Sequence, residues 1–322
     1  MLRFDGRVAL ITGAGRGIGR QHALFLASRG AAVVVNDDDS GAHVDGRLAS
    51  AEAVVAEITA AGGTAVAVRC DIGDAARVQA MVEAVLQRFG RLDALIHNAS
   101  VYASLGSFAE ARVEDLQRIL RVNVHGGWNV AHAAWQPMLA QGYGRIVMTG
   151  SGAGFFGRRR DHAYSVAKAA LMTLTKVLAT EGDELGVKVN LVGPIAWTES
   201  SRAQGIPSIM EKFAPPLLVS NLVAVLAHAD CPVNGEMFHC GGGFVARIFV
   251  GETQGRVFDV ATMTPEAVLD DMARIMEPTG YTIPANSDRS GAHLSAAIAA
   301  ANPEFAAVLA DARRARRPGP GP

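Results

Sequence analysis

Along the first 250 residues, short apolar runs alternate with longer stretches whose apolar positions recur at helical spacing. "VALIT", after Arg7, is continuously apolar and β-branched, the mark of a strand buried on both faces. "GIGRQHALFLASRG" repeats its apolar residues every three or four positions and stops at Gly30, a helix C-cap signal. "AAVVVND", "TAVAVRCD", "LDALIHNA", "GRIVMTGS" and "VKVNLVG" are further strands, separated by helical stretches such as "SAEAVVAEITAAGG" and "DAARVQAMVEAVLQRFG". The alternation predicts an α/β fold with a doubly wound parallel sheet and helices on both faces.

Two segments break the rhythm. Asp37–Arg47 is a long polar connection after the second strand. Past residue 250 the strand–helix alternation stops, which divides the chain into a domain at 1–250 and a helical C-terminal extension at 251–322. In that extension "TPEAVLDDMARIMEP" reads as a helix with Thr264 as N-cap and Pro265 in the first turn. "HLSAAIAAANPEFAAVLADARRARR" is helical in propensity, its Arg cluster a solvated helix end, and "PGPGP" is expected to be disordered.

Composition narrows the function classes. A chain of 322 residues that is 49% hydrophobic can bury a sizeable core. A net charge of −1 gives no reason to expect a nucleic acid or an anionic membrane as partner. Cys70, Cys231 and Cys240 have neither metal-ligand nor redox spacing, so no metal is expected and a reducing cytoplasm fits. No apolar stretch of signal length precedes the first strand, and no window of spanning length lacks charges or glycines.

Candidate chemistry begins at "TGAGRGIG" (Thr12–Gly19), between the first strand and the first helix. Gly13, Gly17 and Gly19 allow a sharp turn and close approach to a pyrophosphate, with Arg16 and Ile18 in the same loop and unpaired N–H groups at the helix start. This is the dinucleotide-binding pattern, which makes the sheet Rossmann-type. Asp37 ends the second strand, where a carboxylate hydrogen-bonds the adenosine ribose. Asp38 and Asp39 follow and would repel a 2′-phosphate, whereas Arg16 would attract one. Three acids against one base favour NAD as cofactor.

Further on, Tyr164 and Lys168 are four residues apart and share one helix face, with Ser151 at the end of the preceding strand. A phenol has a pKa of about 10, too high for an efficient base near neutrality. A lysine ammonium and a nicotinamide cation beside Tyr164 are expected to favour phenolate, while Ser151 binds the same substrate oxygen.

"TGAGRGIG", "HNAS", Asn123, Ser151 and "YSVAK", in this order, resemble the short-chain dehydrogenase/reductase family over roughly residues 5–250. "FGRLDALIHNA", "AAWQPMLAQGYGRIVMTGS" and "GEMFHCGGGFVARI" are most similar to its (3R)-hydroxyacyl-CoA dehydrogenase branch, found in peroxisomal multifunctional enzymes and bacterial relatives and including hydroxysteroid dehydrogenases. The resemblance implies Tyr164 as acid/base, Lys168 on the nicotinamide ribose, Ser151 on the reacting oxygen, and Asn123 anchoring a water beside Lys168. It implies adenine contacts at Asp71 and Ile72, and Asn98 and Ala99 along the adenosine. Ile195, after Pro194, would offer backbone to the carboxamide, and Thr198 would cover the pyrophosphate. A homotetramer or homodimer is implied too. The chain departs from the family pattern at His97 and Ser100, where Asn and Gly are usual, and at Ile195, where Gly is often found.

The expected reaction is NAD-dependent interconversion of a secondary alcohol and a ketone on an apolar small molecule, such as a 3-hydroxyacyl-CoA or a hydroxysteroid. An NADPH-dependent ketoreductase and a non-catalytic dinucleotide-binding regulator are the alternatives. The complete Ser-Tyr-Lys-Asn set argues against the regulator, which has no use for an acid/base. Phe155, Phe156, Trp197 and Met210 are candidates to flank the substrate, the last two in a lid spanning Pro194–Pro216. Arg158, Arg159 and Arg160 are candidate contacts for an anionic handle on the substrate, with Arg158 foremost.

Overall fold

The computed structural model describes all residues except 39–42, 45–46, 49, 103–105, 204–206 and 316–322. Asp39, the tip of the polar connection, part of the expected lid and the "PGPGP" end thus lie outside the described residues. The chain forms two compact units, Met1–Ile248 and Phe249–Pro322.

The first unit is built on eight strands: β1 (Val8–Thr12), β2 (Ala32–Asp37), β3 (Thr64–Arg69), β4 (Ala94–His97), β5 (Gly144–Thr149), β6 (Val187–Pro194), β7 (Met237–Gly241) and β8 (Phe244–Ile248). Their order across the sheet is β3-β2-β1-β4-β5-β6-β7-β8. Every pairing is parallel except β7 with β8, a hairpin turned by Gly241, Gly242 and Gly243. The Rossmann-like doubly wound sheet read from the sequence is therefore the fold.

The continuous apolar strands have a simple cause. Val8 and Leu10 face one hydrophobic core, Ala9 and Ile11 the other, because successive side chains leave a strand on opposite sides. Helices α1 (Gly17–Ser28), α2 (Ala51–Ala60) and α8 (Pro216–Ala227) cover one face. Helices α3 (Ala75–Phe89), α5 (Gly126–Ala140) and α7 (His162–Gly182) cover the other. The apolar stretch Ile209–Ala227, with mean hydropathy 1.4, includes α8, whose Val219, Val223 and Leu226 belong to the core under α1 and α2.

Helix α4 (Val113–Leu120) runs into α5 through a π-helical segment, Arg121–His125, that carries Asn123. Short helix α6 (Gly152–Phe156) follows β5 and begins after Ser151. The strand order reverses at β1, whose neighbours are β2 and β4, and ligands of such sheets bind where that reversal opens a crevice at the carboxyl ends of the strands.

The second unit has no buried residue among those described from 249 to 310. The Phe249 and Tyr281 rings stack at 5.7 Å, and Glu252 bridges Thr282 through backbone hydrogen bonds. Thr264 caps its first helix as expected, accepting from the Ala267 N–H at 3.2 Å. Each of the two long helical stretches read from the sequence is broken once, at Asp271 and at Asn302–Pro303.

Candidate active site

At the carboxyl ends of β1 to β4 a cavity of about 570 Å³ opens. Gly13, Arg16, Gly17 and Ile18 line it from the β1–α1 loop, Asp37 and Asp38 from β2, Asp71 and Ile72 from the end of β3. The segment Asn98–Tyr102 after β4 and Thr198 line it as well. Ten of the cofactor-binding residues expected from the sequence meet here: Gly13, Arg16, Gly17, Ile18, Asp37, Asp71, Ile72, Asn98, Ala99 and Thr198.

The loop has the shape a pyrophosphate needs. Gly13 and Gly17 have φ of 61° and 56°, in the left-handed region that favours glycine. A Cβ on Gly13 would sit 2.6 Å from Ala99 Cα, and one on Gly19 2.3 Å from the Gly13 carbonyl oxygen. Gly19 therefore acts by close packing. Helix α1 starts without a side-chain cap or an acidic residue in its first turn, so its leading N–H groups face the cavity as anion donors. Asn98 braces the loop, its Nδ2 donating to the carbonyls of Thr12 (3.1 Å) and Gly13 (3.0 Å). Asp37 accepts the Gly15 N–H at 2.8 Å, which holds its carboxylate over the loop. These residues fit a dinucleotide: phosphates at the helix start, ribose at Asp37.

Past this cleft lie the residues expected to carry acid/base chemistry. Ser151 leaves β5 and accepts the Ala153 N–H at 3.1 Å. Tyr164 and Lys168 stand one turn apart on α7, Lys168 Nζ lying 5.6 Å from the Tyr164 ring centroid. Lys168 is 1% exposed, and its ammonium donates to the Thr149 carbonyl at 2.8 Å. Burial lowers its pKa to about 7. In the protein alone, burial raises the Tyr164 pKa, and the Ser151 and Ser100 hydroxyls offset that only in part. Lys168 is turned toward β5, where it meets the Thr149 carbonyl.

Asn123 is buried, and its side chain clasps the segment after β4: Nδ2 donates to the Val101 carbonyl at 3.0 Å and Oδ1 accepts the Val101 N–H at 2.8 Å. Its own carbonyl is met by His97, which the sequence showed only as a departure from the family pattern. Thr12 Oγ1 accepts the N–H groups of Asn98 (3.0 Å) and Ala99 (3.1 Å). The Thr12 proton is then left for His97 Nδ1, 3.4 Å away, and His97 Nε2 donates to the Asn123 carbonyl at 3.3 Å. A histidine inside an apolar strand was the available signal.

His97 and His22, the latter bonded to Ser220 at 2.8 Å, are buried neutral, and burial lowers both pKa values to about 3. An unfolded chain takes up their protons below about pH 6.5. Their contribution to stability is therefore complete above that pH and is lost as pH falls toward 3. The melting temperature is expected to drop between about pH 7 and pH 5, and less steeply in a His22→Gln, His97→Asn double variant. Parallel slopes for both proteins would show that other groups govern acid unfolding.

The substrate candidates fare unevenly. Phe155 packs edge-on against His239 at 6.0 Å and under Gly193, while Phe156 is exposed. Trp197 is buried and Met210 half-buried on a short helix, so Trp197 is a packing residue of the loop after β6. Arg158 already has partners within the chain. It pairs with the buried carboxylate of Asp161 and donates to the Tyr102 hydroxyl at 2.8 Å, so the three arginines are not three free cations. Tyr102 in turn donates to Asp161 at 3.0 Å and lies edge-on to Tyr164, with ring centroids 5.2 Å apart. Pro194 pairs with Cys240, and the Ile195 N–H is used by the Cys240 carbonyl at 2.7 Å.

The profile of the short chain dehydrogenases matches residues 7–205. Peroxisomal multifunctional enzyme type 2 of Mus musculus is 38% identical over 279 residues, 86% of this chain, but the chain spans only 37% of that enzyme. A solved short chain dehydrogenase from Mycobacterium avium superposes with a TM-score of 0.72 at 35% identity, covering 85% of this chain and 96% of its own. An NAD+-bound xylitol dehydrogenase superposes at 0.67 with 28% identity, covering 74% of this chain and 99% of its own. With the glycine loop, the sheet order and the Ser-Tyr-Lys constellation already in place, the chain belongs to the short-chain dehydrogenase family and is an oxidoreductase of it.

Proposed function

We propose that this oxidoreductase interconverts a secondary alcohol and a ketone on an apolar substrate, with NAD as cofactor. The observation that carries the reading is Tyr164 one helical turn from the buried Lys168, whose Nζ lies 5.6 Å from its ring centroid, with Ser151 leading out of the neighbouring strand β5. The nicotinamide, when bound, accepts or returns the hydride. Ser151 holds the substrate oxygen. Tyr164 takes the alcohol proton as the carbonyl forms and returns it in the reverse direction. Lys168, with a pKa of about 7, can pass a proton at neutral pH.

Among substrate classes, a 3-hydroxyacyl-CoA or a hydroxysteroid fits best, supported by the likeness to the multifunctional enzymes. Turnover should be measured on panels of both, with each dinucleotide. Failure on every secondary alcohol and ketone overturns the proposal.

Asp37 supports NAD, since a carboxylate in the cavity binds a ribose hydroxyl and repels a phosphate there. Arg16, in the same cavity, supports an NADPH-dependent ketoreductase instead. Asp37→Ala is expected to raise the NADP-to-NAD ratio of kcat/KM by about a hundredfold, the worth of one hydrogen bond to a charged group plus the lost repulsion. An unchanged ratio would assign the choice to Arg16 or its neighbours.

A further inference from the structure

Helix α7 fixes the backbone of Tyr164 but leaves its ring free to turn. A second tyrosine restricts that freedom. Tyr102 comes from the segment after β4 and lines the cavity at the strand ends. Its ring meets the Tyr164 ring edge-on, with centroids 5.2 Å apart and planes at 88°. Its hydroxyl joins three side chains in a closed clasp. It donates to Asp161 Oδ1 at 3.0 Å and accepts from Arg158 Nη2 at 2.8 Å, while Arg158 Nε pairs with Asp161 Oδ2. A phenol has one proton to give, and Asp161 receives it. Asp161 is buried, and among the described residues the Tyr102 hydroxyl is the one hydrogen-bond donor to its side chain.

The clasp needs a tight turn ahead of α7. Arg160 has φ of 69° and is the only non-glycine among the described residues in the left-handed region. The Asp161 N–H closes the turn onto the Arg158 carbonyl at 3.1 Å. Strain of this kind persists where the surroundings fix it, and here Arg158 and Asp161 are fixed by their shared hold on Tyr102.

We propose that Tyr102, held by Arg158 and Asp161, is a positioning residue that fixes the orientation of the Tyr164 ring for proton transfer. The inference rests on Tyr164 being the acid/base. Proton transfer needs the phenol oxygen within hydrogen-bond reach of the substrate oxygen, and a ring that swings about its Cα–Cβ bond carries that oxygen away. Tyr102 blocks the swing where its edge meets the ring. It can do so because it is tied at both ends. Its backbone neighbour Val101 is clasped by Asn123, and its hydroxyl is anchored at Asp161, the residue that leads into α7. Tyr102 does not take the substrate proton itself. Burial and the Asp161 carboxylate raise its pKa above the ordinary phenol value, so its hydroxyl stays a donor.

The test uses Tyr102→Phe, which keeps the ring and frees its far end, and Arg158→Ala, which opens the clasp from its exposed side. In each, kcat is expected to fall by about tenfold or more, as small misplacements of a reacting group do, with the KM for dinucleotide and for substrate within about twofold of the parent. The double variant is expected to lose no more than about the larger single loss, because both changes open one device. A kcat within about threefold of the parent in Tyr102→Phe overturns the proposal. So does a loss confined to KM, which would make Tyr102 a wall of the binding site, and so do losses that multiply in the double variant. A second readout needs no turnover. The chain has four tyrosines, so in protein with isotope-labelled tyrosine the Tyr164 ring resonances are assigned by their loss in Tyr164→Phe. They are expected to shift in Tyr102→Leu, which removes the edge-on ring, and in Arg158→Ala, which releases it. Resonances unmoved in Arg158→Ala overturn the clasp's hold on Tyr164. If the parent protein turns over no alcohol or ketone, the proposed function falls, and these resonances still decide whether the clasp orients the ring.

Discussion

Tyr164→Phe is expected to lower kcat by about a thousandfold, within the range that general acid/base catalysis contributes. The substitution removes one oxygen and leaves the ring. The ring packs edge-on against Tyr102, and the pyrophosphate loop lies on other elements, so dinucleotide affinity should hardly change. That split separates a chemical role from a structural one. It is read by steady-state kinetics alongside fluorescence titration with dinucleotide. Activity within about tenfold of the parent would remove Tyr164 from the chemistry. The phenol sits high in the protein alone, because burial outweighs the influence of the Ser151 and Ser100 hydroxyls. A cofactor cation is therefore part of what brings it into range, and the acid/base should ionise more readily in the loaded protein than in the free one.

Lys168→Met is expected to abolish most turnover and, at the same time, to raise the melting temperature by a few degrees. Lys168 is among the largest fully buried side chains, and its pKa falls from an ordinary 10.5 to about 7 through burial. Between those two values the unfolded chain holds a proton that the folded one has released, so stability rises with pH across that window. Below about pH 7 the cost of burying the ammonium is complete. Methionine has nearly the same length and no charge, so its gain should be largest near pH 6 and shrink toward pH 10. Thermal melts at both ends of the range check this. A lower melting temperature at the acid end would mean that the hydrogen bond to Thr149 outweighs the cost of burial. A residue that weakens the fold to stay in the site is what a stability–activity trade-off predicts.

The sheet was legible because its strands are buried on both faces. Leu10 and Ile11 belong to opposite cores and yet both must be apolar, which leaves a continuous run that is easy to see. The glycine loop was legible because backbone shape is written in residue type at Gly13, Gly17 and Gly19. Relations between side chains distant in sequence were less so. Arg158 read as a candidate substrate contact, and the Tyr102 hydroxyl that it meets lies 56 residues away in the chain. The spacing of Tyr164 and Lys168 was right about the shared face, but spacing says nothing of rotamer, and Lys168 reaches Thr149. His97 and Ser100 stood out only as departures, since a hydrogen-bond chain through Thr12 and Asn123 leaves no periodic trace.

The π-helical segment at Arg121–His125 works as a phase shifter. Upstream, Ile119 on α4 packs with Ala163 and Ala167 of α7. Downstream, Val130, Ala134 and Met138 on α5 pack against the sheet core. One helix without the wide turn would carry both apolar stripes on a single line and could serve only one of these partners well. Each residue advances a helix by about 100°, and a π turn absorbs one residue more than an α turn does. The extra residue lets two neighbours of different orientation read the same rod, and it places Asn123 at the step between them.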